Sequence, residues 1–565
     1  MRVDVIDSTK ALAALQANWD AVYEADPEAQ FFLSWTWISR WLAALDAPWF
    51  VLAVRPAEES ATYVAFFPLW LGTKERKSGG FYNDIYMGGS YTADYTGFVC
   101  RPDFEAQAIP ALAARARQLN WTHFRLEFLR ASDRRTALFM QEFPAAEFDV
   151  TELNRVEKDN IDNSLCPLLS LPADWDAYLD GRLSANSRQK IRRLLRQVEG
   201  SPEFRITHAD ANTVERDIET LLRFWAERWG EQKGKKLNAI LKNHRLMLRH
   251  AFAAGALFLP VLWQGDRPVG ALAILVDAGK RACLFLMGGR DATFDGPPPG
   301  TVLHAHAIRH AIRNGFASYD FLRGNEPYKY SFGAEDRRVT SFVLMTKDRM
   351  NLGGRVDRRS LPFVLRTSME HQRAGRSLEA ECGFRQVLEL VPQDADALYG
   401  LGQILAKKGE HAAAVGLLRR LLAARPDIAR AWFWLGRSLR VSGEFAAAVD
   451  AFCAGIERQP DLAGAYYDLG HLLLQLGQAD LAVATFAAAR SLQPDFPDVE
   501  ASLARAQRSC DALSPEELAR RAAAHAELRE RVGKLRAIAA AAGRTRQAES
   551  KAPTPALEQG RGAPA

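Results

Sequence analysis

The chain has 565 residues, of which 48% are hydrophobic and 25% charged, and its formal net charge is +5. That length exceeds one hydrophobic core and calls for roughly two to four domains, and so mild a charge makes DNA an unexpected partner. Six scattered cysteines without a CxxC pair, an N-terminus without an apolar leader core and no apolar run of membrane length lead to the expectation of a cytoplasmic protein with no transmembrane segment.

Residues 1–165 mix helices and strands. Ser34 stands where it would cap an aromatic-rich helix over 34–45. The apolar runs 49–56 and 62–75 read as a strand pair, and a loop rich in glycine and tyrosine follows from Phe81 to Gly97. An alanine-rich helix (106–119) precedes 122–130, where Phe124, Leu126 and Phe128 alternate with Arg125 and Glu127 as on a half-buried strand. The tryptophans between 35 and 70 read as core and cleft wall.

Residues 166–350 read as a second α/β unit. It opens with a polar helix (184–200), and the helical stretch 216–230 follows. Residues 256–289 then form three strands joined by short turns. A loop at 296–300 leads into a helix closed by Gly315, and two further strands are expected at 316–324 and 339–347. The amides of Gly300, Thr301 and Val302 would open that helix unpaired, a setting suited to a pyrophosphate. His304, His306 and His310 lie on the same helix, but their spacing lacks the further ligands that zinc needs, and no metal is expected. The basic run Arg182 to Arg196 reads first as a solvated helix face, with phosphate or RNA contact as the alternative.

From about 361 a different pattern takes over. Pro392, Pro426, Pro460 and Pro494 recur every 34 residues, in step with Leu401-Gly402, Leu435-Gly436 and Leu469-Gly470 and with Gly375, Gly409, Gly443 and Gly477. This period is that of tetratricopeptide (TPR) helix pairs, in which small residues let helices approach and each proline ends a unit. An all-α TPR solenoid with caps is therefore expected over 361–512, binding a protein partner in its groove (393–494). A helix over 513–543 and a disordered tail over 544–565 complete the chain.

The stretch from Pro299 to Gly333 carries a further signal. Pro299-Gly300-Thr301, Ala307-Ile308-Arg309-His310-Ala311-Ile312, Asp320-Phe321-Leu322-Arg323-Gly324 and Tyr328-Lys329 occur in that order. The set resembles the acyltransferase domain of bacterial cellulose-biosynthesis proteins of the CelD type, which belong to the GNAT superfamily and are related to the FemAB aminoacyltransferases. The resemblance is strong over 165–345 and looser over 1–165. It implies an α/β fold of two tandem GNAT-like halves, 1–165 and 166–350.

The activity implied is transfer of an acyl group from acyl-CoA, as co-substrate, to an amine or hydroxyl. The acceptor would be a sugar, a polysaccharide-related molecule or a cell-envelope metabolite. Lys329 would place its ammonium beside the reacting carbonyl, and Arg323 would pair with a phosphate or carboxylate. Asp320 would hold one of those two cations, and Asp94, in the loop Ser90–Gly97, would act as general base. Prolines replace amide donors between Arg290 and Gly300, where the superfamily binds the coenzyme pyrophosphate. Three alternatives stay open: an Asp-Arg-Lys network that only fixes the last strand, an aminoacyl-tRNA donor, and a catalytically silent TPR adaptor.

Overall fold

The computed structural model describes residues 1–57, 60–90, 92–157 and 159–551, with side chains as far as residue 544. The chain divides into two compact units, one of 1–74 and 82–360, the other of 75–81 and 361 onward.

The first unit begins with β1 (Arg2–Ile6), α1 (Thr9–Ala13), α2 (Gln16–Ala25), α3 (Trp35–Ala44), β2 (Trp49–Arg55), β3 (Ala65–Glu75) and β4 (Phe81–Met87). β5 (Val99–Cys100), α4 (Glu105–Arg117), β6 (His123–Leu129), α5 (Asp133–Met140) and β7 (Phe148–Glu152) follow. Ser34 caps α3 by accepting from the Trp37 amide. The first part of the expected loop Phe81–Gly97 is instead strand β4. Its alternation is hidden because polar Asn83 and Asp84 are buried in it.

The second half contains β8 (Leu165–Ser170), α6 (Trp175–Arg182), α7 (Ala185–Glu199), β9 (Phe204–His208), α8 (Val214–Lys233) and α9 (Leu237–Ala253). It continues with β10 (Leu257–Phe258), β11 (Pro260–Gln264), β12 (Arg267–Asp277), β13 (Ala282–Arg290) and α10 (Pro299–Arg313). β14 (Ser318–Asp320), α11 (Pro327–Tyr330), β15 (Glu335–Arg338) and β16 (Thr340–Thr346) end it.

Two sheets result. The first runs β1-β2-β3-β4-β6-β16-β7 with β5 beside β3, and the second runs β15-β8-β14-β13-β12-β11-β9 with β10 beside β12. Each contains one parallel strand–helix–strand unit among antiparallel neighbours: β4 with β6 across α4, and β13 with β14 across α10. The halves also trade strands. β8, which follows the first half's edge strand, enters the second sheet between β14 and β15, and β16, at the end of the second half, enters the first sheet between β6 and β7. The stretch 339–347 is thus a strand as expected, but it belongs to the first sheet rather than the second.

Helices cover both faces of each sheet. Ile109, Leu112 and Phe139 of α4 and α5 pack with Phe67 and Phe124 on one face of the first sheet, and Trp19 of α2 stacks on Phe66 at 4.6 Å on the other. In the second sheet, α7 and α10 cover the face carrying Leu272 and Ile274, and α8 covers the face carrying Ala271 and Met287. Two glycines permit the close approach. A Cβ at Gly270 would lie 2.6 Å from Pro299, and one at Gly289 would lie 2.5 Å from Phe224.

The second unit is helical. The pairs are α12 (Leu361–Arg373) with α13 (Ser377–Leu390), α14 (Ala395–Lys408) with α15 (His411–Ala424), α16 (Ala429–Val441) with α17 (Phe445–Arg458), and α18 (Ala463–Gln475) with α19 (Ala479–Leu492). Gly375, Gly409, Gly443 and Gly477 sit in the left-handed turn inside each pair, with φ of 71–86°. A Cβ at Gly436 would lie 2.8 Å from the Phe452 ring, which is why a Leu-Gly pair stands at that crossing. Gly436→Val is expected to destabilise the solenoid by about 1–3 kcal/mol through overpacking, read as a lowered midpoint of thermal unfolding.

α20 (Val499–Asp511), α21 (Pro515–Ala524) and α22 (Ala526–Lys551) follow. α22 lies against α17 and α19: Leu535 and Val532 are buried, and Arg531 pairs with Asp450 at 2.6 Å. The helix expected over 513–543 is broken at His525 and runs on to Lys551. The rest of the expected disordered tail, 552–565, lies outside the described residues.

Candidate active site

The parallel pair at the centre of the second sheet is short. Ala282, Cys283 and Leu284 of β13 pair with Ser318, Tyr319 and Asp320, where β14 stops, while β13 continues to Arg290 through a bulge at Leu286. The two strands therefore part at their carboxyl ends, the edge at which parallel sheet segments receive ligands. α10 begins at the same end, after the turn 291–298. Among the described residues nothing accepts a hydrogen bond from the Gly300 or Thr301 amide, and the space that a side chain at Gly300 would occupy is open. The Val302 amide differs from expectation. It donates to Pro298 O at 3.1 Å, so the helix start offers two free amides where three were expected.

The loop after β14 meets the loop before β5. Arg323 Nε donates to Asp94 Oδ1 at 2.6 Å, and its guanidinium lies 3.6 Å from the Phe128 ring centroid. Two residues 229 positions apart in sequence are so joined in one ion pair, one from each half. The backbone is strained on both sides of it. Phe128 has φ of 57° and Leu322 φ of 58°, values that side chains other than glycine adopt at a cost of about 1–3 kcal/mol.

Asp320 supports that strain. It is 3% exposed, and it accepts from the Leu322 amide at 2.8 Å and from the Tyr95 hydroxyl at 2.9 Å. Burial pushes its carboxyl above the usual range, against the lowering influence of Arg130. Contrary to expectation it holds neither Arg323 nor Lys329, because its two acceptor oxygens face Tyr95 and its own turn.

Lys329 is also 3% exposed. Its ammonium donates to Arg323 O at 2.7 Å and Gly324 O at 2.9 Å, and lies 2.9 Å from Glu326 Oε2. Two of its three donors are spent on backbone carbonyls, and the Glu326 contact is an ion pair without a hydrogen bond. The ammonium ties the 323–329 turn from within, where a place beside a reacting carbonyl was expected.

Beside the Asp94–Arg323 pair lies a cavity of about 410 Å³ between α3 and α9. Phe31, Trp37, Trp41, Leu45, Ile240 and Met247 form its apolar wall, and Ser90, Thr92 and His244 supply polar groups. Trp41 donates to Thr92 Oγ1 at 2.6 Å, which fixes the indole. Phe31, Trp37 and Met247 share one apolar cluster with Leu284, Leu286 and Leu322, so the cavity wall and the residues at the β13/β14 opening pack in one core. Burial lowers the His244 imidazole pKa below its ordinary 6.5, and the Asp94 charge opposes that shift. Tryptophans at a cleft wall were expected. His244 carried no signal, because a lone histidine on a helix has no spacing to test.

On the other side of Phe128 the first sheet presents charged groups. Arg155 lies over that ring at 4.7 Å and pairs with Glu127 at 3.0 Å. Further along, buried Asp84 accepts from Lys74 at 2.6 Å and meets His123 Nδ1 at 2.7 Å.

The remaining signals fall elsewhere. His304 is buried beside Tyr319, with its imidazole pushed down to about 3 by burial and by Lys329. His306 meets His208 at 2.8 Å. Among the described residues no group of three His, Cys, Asp or Glu side chains is arranged to hold a metal, and no helix is long and apolar enough to cross a membrane. On α7, Arg188 pairs with Asp180 at 2.6 Å, so part of the basic row is tied to α6.

Residues 185–330 match the acetyltransferase (GNAT) domain family. Residues 365–427, 407–463 and 463–496 match tetratricopeptide-repeat families. No curated protein matches the chain. Among solved structures, FemX is 12% identical, over 62% of this chain and 98% of its own, with a TM-score of 0.43. A conserved protein of unknown function from Bacteroides thetaiotaomicron is 12% identical over 61% of this chain and 100% of its own, with a TM-score of 0.38. MamA is 20% identical over 34% of this chain and 97% of its own, with a TM-score of 0.25.

Proposed function

Because the chain carries a GNAT-type acetyltransferase domain followed by tetratricopeptide repeats, we propose that it moves an acyl group from acyl-CoA to an amine or hydroxyl. The acceptor class is a sugar, a polysaccharide-related molecule or a cell-envelope metabolite, and the groove at 393–494 recruits a protein partner. The observation that carries this reading is the meeting of Asp94 and Arg323 at the open end of β13 and β14.

The amides of Gly300 and Thr301, at the positive end of the α10 dipole, suit the coenzyme pyrophosphate. Arg323 sits where a thioester entering the β13/β14 opening would develop negative charge on its carbonyl oxygen. Asp94 is engaged by that guanidinium, so the general-base role passes from it to His244, which burial keeps in its neutral, proton-accepting form. The acceptor's nucleophile attacks the carbonyl, its proton goes to the imidazole, and coenzyme A leaves as the thiol.

Two measurements test this. Calorimetric titration of acetyl-CoA into the full chain should show binding that weakens about tenfold or more in Thr301→Pro. That change removes one charge-facing amide, worth about 1.5–3 kcal/mol, at a first-turn position where proline is tolerated. Equal affinity in the variant would move the phosphate site away from α10. The pH profile of kcat/KM should stay flat through neutrality and fall only below pH 6.5, since the lowered imidazole pKa means protonation of His244 at more acidic pH than usual. His244→Asn should abolish that limb along with most of the rate. A limb kept by the variant would assign the base elsewhere.

A further inference from the structure

The cavity between α3 and α9 is larger and more apolar than a transferred acetyl group requires. Its 410 Å³ falls within the range of about 300–1,000 Å³ typical of small-molecule sites. Two carbons would fill only a small part of that volume, and Trp37, Trp41, Leu45 and Met247 offer apolar surface that a longer chain would cover.

Position selects the occupant. The cavity wall and the residues at the β13/β14 opening belong to one apolar cluster, through Leu284, Leu286 and Leu322. The cavity therefore adjoins the apolar residues that a chain attached to a carbonyl in that opening would meet. A polar acceptor has a different surface on offer, the charged face of the first sheet with Arg155, Glu127, Lys74 and His123. The two faces meet at Phe128, where Arg323 and Arg155 both stack.

We infer that the cavity holds the acyl chain of the donor, and that the group transferred is a medium- or long-chain acyl rather than acetyl. This rests on the acyl-CoA reading above and adds the donor's chemical class. The chain lies between α3 and α9, its carbonyl stands beside Arg323 and Asp94, and His244 faces the junction from the cavity side. Selection for length then comes from methylenes withdrawn from water, and the far end of the chain is limited by the residues around Ala44 and Leu45.

The test is titration of acetyl-, octanoyl- and dodecanoyl-CoA into the full chain and into Met247→Trp and Ala44→Trp. Ala44 is an exposed residue of the lining, so a tryptophan there narrows the cavity without entering the packed core, and thermal unfolding confirms that each variant is folded. Dodecanoyl-CoA should bind the wild type about a hundredfold or more tighter than acetyl-CoA, and the ratio should fall about tenfold in each folded variant. Equal affinity at all three lengths would overturn the chain assignment while leaving the acyl-CoA reading intact. A length preference unchanged in both variants would place the chain elsewhere and overturn it too. If no CoA ester binds at any length, the acyl-CoA reading itself fails, and the inference falls with it.

Discussion

Lys329→Met is expected to lower the stability of the first unit by about 2–6 kcal/mol, because two backbone carbonyls lose a buried charged donor at about 1–3 kcal/mol each. Methionine matches the length of the lysine stem but leaves the carbonyls of Arg323 and Gly324 without their donor and Glu326 without its ion-pair partner. Unpaired buried acceptors carry a desolvation penalty, and the turn they belong to already holds Leu322 at φ of 58°. Denaturant unfolding of the first unit should therefore shift first, and loss of turnover should accompany it because Arg323 is displaced. A variant with wild-type stability and no turnover would restore the expected role of Lys329 beside the reacting carbonyl. The two outcomes separate a residue that shapes the site from one that touches substrate.

The second large effect concerns Asp94 and Arg323. Arg323→Ala is expected to lower kcat/KM by about 10²–10³-fold, the scale measured when one donor to a developing oxyanion is removed. Asp94→Asn keeps the side chain's shape and an acceptor oxygen but removes the negative charge that, at 2.6 Å, holds the guanidinium over the Phe128 ring. The double variant should be little worse than Arg323→Ala, because the carboxylate acts through the guanidinium and residues in one network are not additive. If the two losses add in the logarithm, Asp94 acts on its own and the base assignment to His244 must be revisited.

Most of the architecture was legible before any coordinates. The TPR period could be read because each 34-residue unit solves the same packing problem: Gly402, Gly436 and Gly470 each face a large residue of the partner helix, so the same residue types recur at the same phase. The turn glycines were readable for an equally local reason, since a left-handed φ at Gly409 or Gly443 excludes most side chains. Strands such as β6 and β12 announced themselves by alternation or by apolar runs between turn residues. β4 did not, because Asn83 and Asp84 are buried polar residues, and their partners (Ser360 and Asp357 for Asn83, Lys74 and His123 for Asp84) lie far along the chain or across the sheet.

The site was legible in its members and less so in their roles. Arg323 and Asp94 were both singled out from the residues around them, but nothing local says that they meet. Lys329 and Asp320 sit in the motif the family shares, and a motif names residues without saying which donors are already spent. His244, Phe128 and Tyr95 matter through residues far along the chain: the Asp94 charge acts on His244, Arg323 stacks on Phe128, and Tyr95 donates to Asp320.

Residue types and their spacing were thus enough to establish an α/β region and a repeat solenoid, and a family resemblance marked the segment from Pro299 to Gly333 as the place to look for GNAT-type chemistry. Those properties are set by interactions within a few turns of helix or a few residues of strand, where periodicity leaves a trace. The reciprocal exchange of β8 and β16, the ion pair between the halves and the apolar cavity between α3 and α9 came only with the folded chain. A strand's pattern is the same whichever sheet it joins, and a buried ammonium or an open cavity is defined by what the rest of the molecule brings to it.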